Sequence, residues 1–102
     1  MKIVKVTYTT KAAFSAQNQG NIRNVMTDLQ QANHPGINYH ACMSDDNKTF
    51  THTAFFKTDD DQKRLNELPS FKFFQEQLKS GELEVPPKQE QLTLIGSSND
   101  IF

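Results

Sequence analysis

Hydrophobic residues follow two different periods in the first third of the chain. From Lys2 to Thr9 apolar and polar positions alternate, which predicts a half-buried β-strand. From Lys11 to Asn33 the apolar residues recur every three or four positions, which predicts a helix with one buried stripe. The sequence His34-Pro35-Gly36 ends this helix, because proline cannot continue it and glycine permits the turn. The apolar strand face is Val4, Val6 and Tyr8, and the helix stripe is Ile22, Val25, Met26 and Leu29, with Phe14 on the same face.

A β-hairpin is predicted next, because two alternating segments, Ile37–Ser44 and Thr49–Lys57, flank a short polar turn. We place Asp46-Asn47 at the tip of that turn. In the resulting register Ala41 faces His52, and the apolar faces of the two strands coincide. The same register pairs Met43 with Phe50 and Tyr39 with Ala54.

Helical signals return in the second half of the chain. Thr58 followed by Asp61 has the spacing of a capping box, so we predict a short helix from there to about Leu68. Pro69-Ser70 restarts the helix, with Ser70 as the predicted N-cap, and Lys79-Ser80-Gly81 stops it. The second stripe is Phe71, Phe74 and Leu78, with Phe73 out of phase; Pro86-Pro87 is predicted to break the chain before a last strand at 88–97.

The resulting order is β-α-β-β-α-β, which predicts an α+β, ferredoxin-like fold with a four-stranded antiparallel sheet and helices on one face. We assign residues 1–97 to this single domain and 98–102 to a C-terminal tail. The other sheet face would be bare and uncharged, which suits contact with a second sheet and predicts a homodimer. The residues predicted at that interface are His40, Cys42, Thr51, Thr53 and Phe55.

Composition narrows the classes of function. The chain has 102 residues, of which 35% are hydrophobic, so it can build one modest core and would gain stability against a copy of itself. A net charge of −1 provides no excess of positive charge that would bind nucleic acid or an anionic membrane. The single cysteine, Cys42, excludes an internal disulfide framework, and no leader or membrane-spanning stretch is apparent, so we expect a cytoplasmic protein.

Several segments resemble those of a known superfamily. These are Leu68-Pro69-Ser70-Phe71-Lys72-Phe73-Phe74, Pro86-Pro87-Lys88, Leu92-Thr93-Leu94-Ile95-Gly96 and the hairpin segment Lys48–His52. They are similar to segments of the antibiotic biosynthesis monooxygenase-like, dimeric α+β-barrel proteins. The resemblance implies two sheets packed back to back with helices outside, and substrate in the cleft between sheet and helices. That superfamily includes cofactor-independent oxygenases of quinols or polyketide aromatics and haem-degrading enzymes; the haem-degrading branch uses a tryptophan, which this chain lacks.

His52 is the strongest candidate for chemistry, because the hairpin register places it on the helix-facing side. A neutral imidazole in the cleft could accept a phenolic proton and start the oxidation of an aromatic or a quinol by O2. The alternative is a core histidine whose hydrogen bonds are satisfied by its neighbours, in a non-catalytic dimer that binds a small apolar ligand or a partner protein. We expect no metal, haem, flavin or nicotinamide. The predicted substrate-binding residues are Tyr8, Tyr39, Met26 and Phe74.

Other features of the sequence favour structural roles. His40 and Cys42 could begin a nucleophilic or metal site, but no further ligands accompany them, and interface packing is favoured. The run Asp59-Asp60-Asp61 is typical of a helix start. An RNA-recognition function is excluded, because the bare face offers only Phe55 on the third strand and the chain is not basic. Acylphosphatase function is excluded, because no glycine-rich phosphate loop follows the first strand.

Overall fold

The computed structural model describes residues 1–81 and 83–102 of the chain. Its elements are β1 (Lys2–Thr10), a 3-10 turn (Ala12–Phe14), α1 (Ser15–Ala32), β2 (Ile37–Met43), β3 (Thr49–Phe56), α2 (Asp59–Glu67), α3 (Pro69–Lys79) and β4 (Leu83–Leu92). The strands form one antiparallel sheet in the order β2-β3-β1-β4. The arrangement confirms the α+β, ferredoxin-like prediction. No helix in the described part of the chain is long and apolar enough to cross a membrane.

The predicted hairpin register is confirmed. Ala41 pairs with His52, Met43 with Phe50 and Tyr39 with Ala54. At the turn Asn47 adopts a left-handed backbone with φ of 62°, a conformation that asparagine tolerates better than most residues. The hairpin therefore delivers His52 to the helix-facing side of β3, as expected.

The predicted boundaries of the last strand are wrong. The strand covers Leu83–Leu92, so Pro86 and Pro87 lie inside it and residues 93–97 lie beyond it. Two features of the sheet explain this. β4 is an edge strand, where a missing N–H need not break a ladder, and its pairing with β1 shifts register between Thr7 and Thr9. Lys88 and Val85 are the respective partners, so the proline pair sits in a bulge with one extra residue.

The helix starts are partly as predicted. The Thr58–Asp61 capping box is present at α2. Ser70 is not the N-cap of α3, because Leu68 has the extended cap conformation and Pro69 occupies the first turn, where its fixed φ suits a helix. The first helical segment also divides: Phe14 belongs to a 3-10 turn ahead of α1, and it is buried in the core.

The core fills the space between the sheet and the helices. Along β3 burial alternates with a period of two, and the buried set includes Phe50, His52 and Phe56. Tyr8 from β1 and Val25 from α1 are each 1% exposed. Phe73 is 48% exposed, as its position outside the α3 stripe predicts.

The opposite sheet face is partly covered by the chain itself. Ile3 is 4% exposed although it points away from the helices. The amide nitrogen of Asn38 donates to the carbonyl of Ile101 at 3.0 Å, so the C-terminal residues lie over this end of the face. The row across the four strands at this end is Leu92, Ile3, Phe55 and Asn38.

Candidate functional site

His52 lies at the centre of the sheet between two tyrosine hydroxyls. Its side chain is on the helix-facing side, and the residue is 5% exposed. The Oη atom of Tyr8 lies 2.8 Å from its Nε2 atom, and the Oη atom of Tyr39 lies 2.5 Å from its Nδ1 atom. Both ring nitrogens therefore have hydrogen-bond partners within the protein.

Strand register produces this arrangement. On one side of β3, Tyr8 pairs with Phe50, two residues before His52. On the other side, Tyr39 pairs with Ala54, two residues after His52. Each tyrosine is thus a diagonal cross-strand neighbour of His52, a separation that long aromatic side chains can span.

Burial sets the protonation states in this cluster. It lowers the pKa of His52 to about 4, because the charged imidazolium loses its hydration, so the ring is neutral at pH 7. Burial likewise raises the pKa of Tyr8 and of Tyr39 well above the ordinary value of a phenol. The cluster is a set of neutral donors and acceptors rather than a charged site.

An open cavity of about 330 Å³ adjoins His52. Phe71 and Phe74 from α3 form part of its wall, and the ring centroid of Phe74 lies 5.2 Å from that of His52. Pro87, which the bulge in β4 places here, forms part of the opposite side. The other lining residues are Val6, Tyr8, Tyr39, Gln75, Leu78, Lys79, Leu83 and Gln89.

Four of the five predicted site residues come together at this cavity. His52, Tyr8, Tyr39 and Phe74 all line it. Met26 does not, and its predicted place in this pocket is wrong. It lines a separate cleft of about 440 Å³ that includes residues of α1 and β2, with His40 and Cys42 at the same cleft.

Asn18 is the member of the cluster that the sequence analysis missed. It lies on α1, is 0% exposed, and its Nδ2 atom donates to the Oη atom of Tyr8 at 2.9 Å. Its Oδ1 atom has no partner among the described residues. A signal was present in the sequence, because Asn18 is four residues from both Phe14 and Ile22 and so continues the buried stripe of α1.

The described part of the chain has no cluster of side chains with the composition of a metal site. Within residues 1–81 and 83–102, no group of three or more His, Cys, Asp or Glu side chains could hold a metal ion. The polar residues that line the cavity are Tyr8, Tyr39, His52, Gln75, Lys79 and Gln89. These groups can hydrogen-bond to an oxygen-bearing ligand.

Solved structures with the same fold were identified by comparison. A candidate antibiotic biosynthesis monooxygenase from Nitrosomonas europaea is 17% identical with a TM-score of 0.78, covering 94% of this chain and 100% of its own. Another, from Caulobacter crescentus CB15, is 18% identical with a TM-score of 0.76, and the match covers 93% of this chain and 90% of that protein's chain. SnoaB, a cofactor-independent oxygenase from Streptomyces nogalater, is 15% identical with a TM-score of 0.68, and the match covers 97% of this chain and 98% of the SnoaB chain.

At the level of sequence, the likeness is weak. No family model matches the chain. No curated protein matches it either. The chain nevertheless has, over nearly its whole length, the α+β ferredoxin-like fold of antibiotic biosynthesis monooxygenase-like proteins.

Proposed function

We propose that the protein is a monooxygenase-like enzyme that oxidises a small aromatic or a quinol with O2, without a bound cofactor, in the cavity beside His52. The observation that supports this best is the open volume of about 330 Å³ next to a buried His–Tyr cluster. An apolar wall with a few convergent polar groups is the usual form of a small-molecule site, and this volume is within the usual range. The name of the Streptomyces nogalater neighbour, a cofactor-independent oxygenase, supports the same class of reaction.

The chemistry needs no electron source other than the substrate. For a hydroquinone QH2 the reaction is QH2 + O2 → Q–OH + H2O, where Q–OH is the hydroxylated quinone. Two O–H bonds and one ring C–H bond break, and two ring carbonyls and one C–OH bond form. The substrate supplies four electrons, one atom of O2 remains on the ring, and the other leaves as water. In this proposal Tyr39 hydrogen-bonds to a substrate oxygen, Phe71 and Phe74 hold the ring, and His52 holds Tyr39. His52 acts as a hydrogen-bond partner rather than as the base, because both of its nitrogens are engaged.

An oxygen-uptake screen on substituted hydroquinones tests this function. Wild type should consume O2 faster than buffer alone, and Tyr39→Phe and His52→Gln should lower that rate about tenfold or more, because each disrupts the polar wall of the cavity. Met26→Leu is the matched control, since Met26 lines a different cleft. Equal rates in wild type and in both cavity variants would contradict the proposal.

A second candidate function is a non-catalytic module that binds a small apolar ligand or a partner protein in the same cavity. The fact that both nitrogens of His52 already have partners favours it. Calorimetric titration with 1,4-naphthoquinone distinguishes the two functions when combined with the oxygen screen. Saturable binding without oxygen uptake on any hydroquinone would favour the module over the enzyme.

We further propose that the protein works as a cytoplasmic homodimer that associates through the bare sheet face. His40 and Cys42 are exposed there, and Thr51, Thr53 and Phe55 are only half-buried in the single chain. The covered end of the face, at Ile3, Phe55 and Asn38, leaves His40, Cys42, Thr51 and Thr53 free for a second copy.

Sedimentation tests the dimer. Wild type should sediment at about twice 11.6 kDa, and Thr53→Arg should dissociate it, because an unpaired charge would be buried at the interface. Thr53→Ser is the control and should remain dimeric. A wild-type protein that sediments only at 11.6 kDa would contradict the proposal.

A further inference from the structure

The His52 cluster extends beyond the histidine as a chain of four side chains from four elements. It runs from Asn18 on α1, through Tyr8 on β1 and His52 on β3, to Tyr39 on β2. Burial is complete at one end only: Asn18 and Tyr8 are 0% and 1% exposed, whereas Tyr39 is partly exposed and borders the cavity. Each member between the ends has one neighbour on each side. The direction in which the hydroxyl and ring protons point is therefore a property of all four hydrogen-bonded side chains together.

Asn18 determines that direction. Its Nδ2 atom donates to the Oη atom of Tyr8 and its Oδ1 atom is unpaired in the described structure. The reversed amide would satisfy Oδ1 but would leave N–H groups without a partner, and unpaired buried N–H groups are rarer than under-satisfied carbonyl oxygens. The observed orientation is thus the better one, and Tyr8 receives a hydrogen bond from the helix.

Proton counting then settles the remaining bonds. Tyr8 has one hydroxyl proton, and at 1% exposure an unused donor would be costly, so this proton points to Nε2 of His52. A neutral imidazole that accepts at Nε2 carries its proton on Nδ1. That N–H donates to the Oη atom of Tyr39, whose own proton is free to point into the cavity.

We propose that Asn18 is a positioning residue whose amide fixes the Nδ1–H form of His52, so that Tyr39 presents a proton donor to the cavity. The ligand class follows: a small planar molecule with an acceptor oxygen, such as a quinone carbonyl or a phenolate, placed against Tyr39. The choice of ligand rests on the proposed function, in which this cavity is the binding site. The proton arrangement does not, since it is a property of the free protein.

The low pKa of His52, about 4, agrees with this arrangement, because a neutral ring is required at pH 7. The titratable groups that face the ring are Tyr8 and Tyr39, and burial keeps both as neutral phenols. No charge in the cluster competes with the direction that Asn18 sets.

Long-range ¹H–¹⁵N spectra of the histidine ring at pH 7 test the arrangement without any ligand. Wild type should show His52 as a single Nδ1–H tautomer. Asn18→Asp replaces the donor to Tyr8 by a carboxylate that only accepts, so the Tyr8 proton should turn away from His52 and the ring should change to the Nε2–H tautomer. Asn21→Asp is the matched control, since Asn21 is also buried on α1 but bonds to Gln17 instead, and it should leave the tautomer unchanged.

Two results would overturn the proposal. A wild-type Nε2–H tautomer would show that the hydrogen-bonded chain points the other way, and a tautomer unchanged in folded Asn18→Asp would remove the role of Asn18. The wild-type spectrum decides the direction even where a variant does not fold. Oxygen uptake has no part in this measurement, so a failed spectrum and a failed enzymatic function are separate outcomes.

The ligand class has its own test in binding. Tyr39→Phe should weaken 1,4-naphthoquinone about tenfold, the usual worth of one hydrogen bond. The same variant should leave the affinity for naphthalene unchanged, because naphthalene has no acceptor oxygen. Equal losses for both ligands would overturn the assignment of Tyr39 as the donor.

Discussion

Two polar clusters in this molecule, one around the buried Asp61 and one around the buried His52, are assembled in opposite ways. At the start of α2, the Asp61 carboxylate accepts hydrogen bonds from the backbone N–H and hydroxyl of Thr58 and from Arg64, and each partner is three residues away in sequence. At His52 the partners are 44 and 13 residues away in sequence. The first cluster is local, and none of its three residues lines the cavity beside His52. The second is assembled by the sheet and borders open space, which is what a ligand site requires.

The difference extends to charge. The Thr58 hydroxyl, with smaller contributions from its backbone N–H and from Arg64, holds the pKa of Asp61 below its ordinary value, so this cluster is ionic. Desolvation dominates at His52 and keeps that cluster neutral. The local cluster stabilises a helix end, and the long-range cluster is available for binding. A substitution or a change of pH can therefore alter one cluster and leave the other intact.

Gly36→Ala should give the largest loss of stability. A Cβ atom at Gly36 would clash with the carboxylate of Asp61, so the cap must shift. Overpacking and loss of a cap together cost about 3 kcal/mol in the free energy of unfolding. Chemical denaturation measures it, and Gly20→Ala on α1 is the control, because nothing lies within 4 Å of that Cβ position. A Gly36→Ala protein as stable as Gly20→Ala would show that the contact is not tight.

Acidification should lower the free energy of unfolding, because His52 is buried as a neutral ring. Its pKa is about 4 in the folded protein against 6.5 in an unfolded chain, so the unfolded state binds more protons between these values. The free energy of unfolding is therefore highest above pH 6.5 and falls as the pH drops, by about 2 kcal/mol between pH 6.5 and 5. Urea denaturation across this range measures the slope. His52→Gln keeps all other titratable groups and should lose this component; an identical slope in both proteins would contradict the buried neutral imidazole.

Thr58→Ala should have the smallest effect. Removal of the N-cap hydroxyl costs about 1 kcal/mol of stability, because the Asp61 N–H loses its side-chain acceptor. Thr58→Ser retains the hydroxyl and should recover most of the loss. Thermal denaturation measures both variants. Binding of 1,4-naphthoquinone should be unchanged in each, and a weakened affinity would show that the two clusters are coupled.

The sequence predicts local features of this molecule well and distant ones less well. The Thr58–Asp61 cap and the hairpin register depend on neighbouring residues and on an alternating pattern, and both are confirmed. The register alone brings Tyr39 beside His52. β4 was misplaced because Pro86-Pro87 breaks most strands, and only the sheet order shows that this strand is an edge.

Two site residues illustrate the same limit. Met26 and Asn18 both belong to α1, and the apolar pattern favours Met26 as the pocket residue. The structure places Asn18 in the His52 cluster and Met26 at another cleft, because the rotation of α1 over the sheet decides which side chain reaches Tyr8. Helical periodicity defines the buried stripe but not the partner of each residue within it.

The proposed ligand site is tested most directly by a crystal structure of the wild-type protein grown anaerobically with 1,4-naphthohydroquinone. We expect the ring in the cavity beside His52, in contact with Phe71 and Phe74. We also expect one ligand oxygen at about 2.6–3.2 Å from the Oη atom of Tyr39. A ring bound in the cleft at Met26 instead, or a cavity that contains only water at saturating ligand, would contradict this proposal.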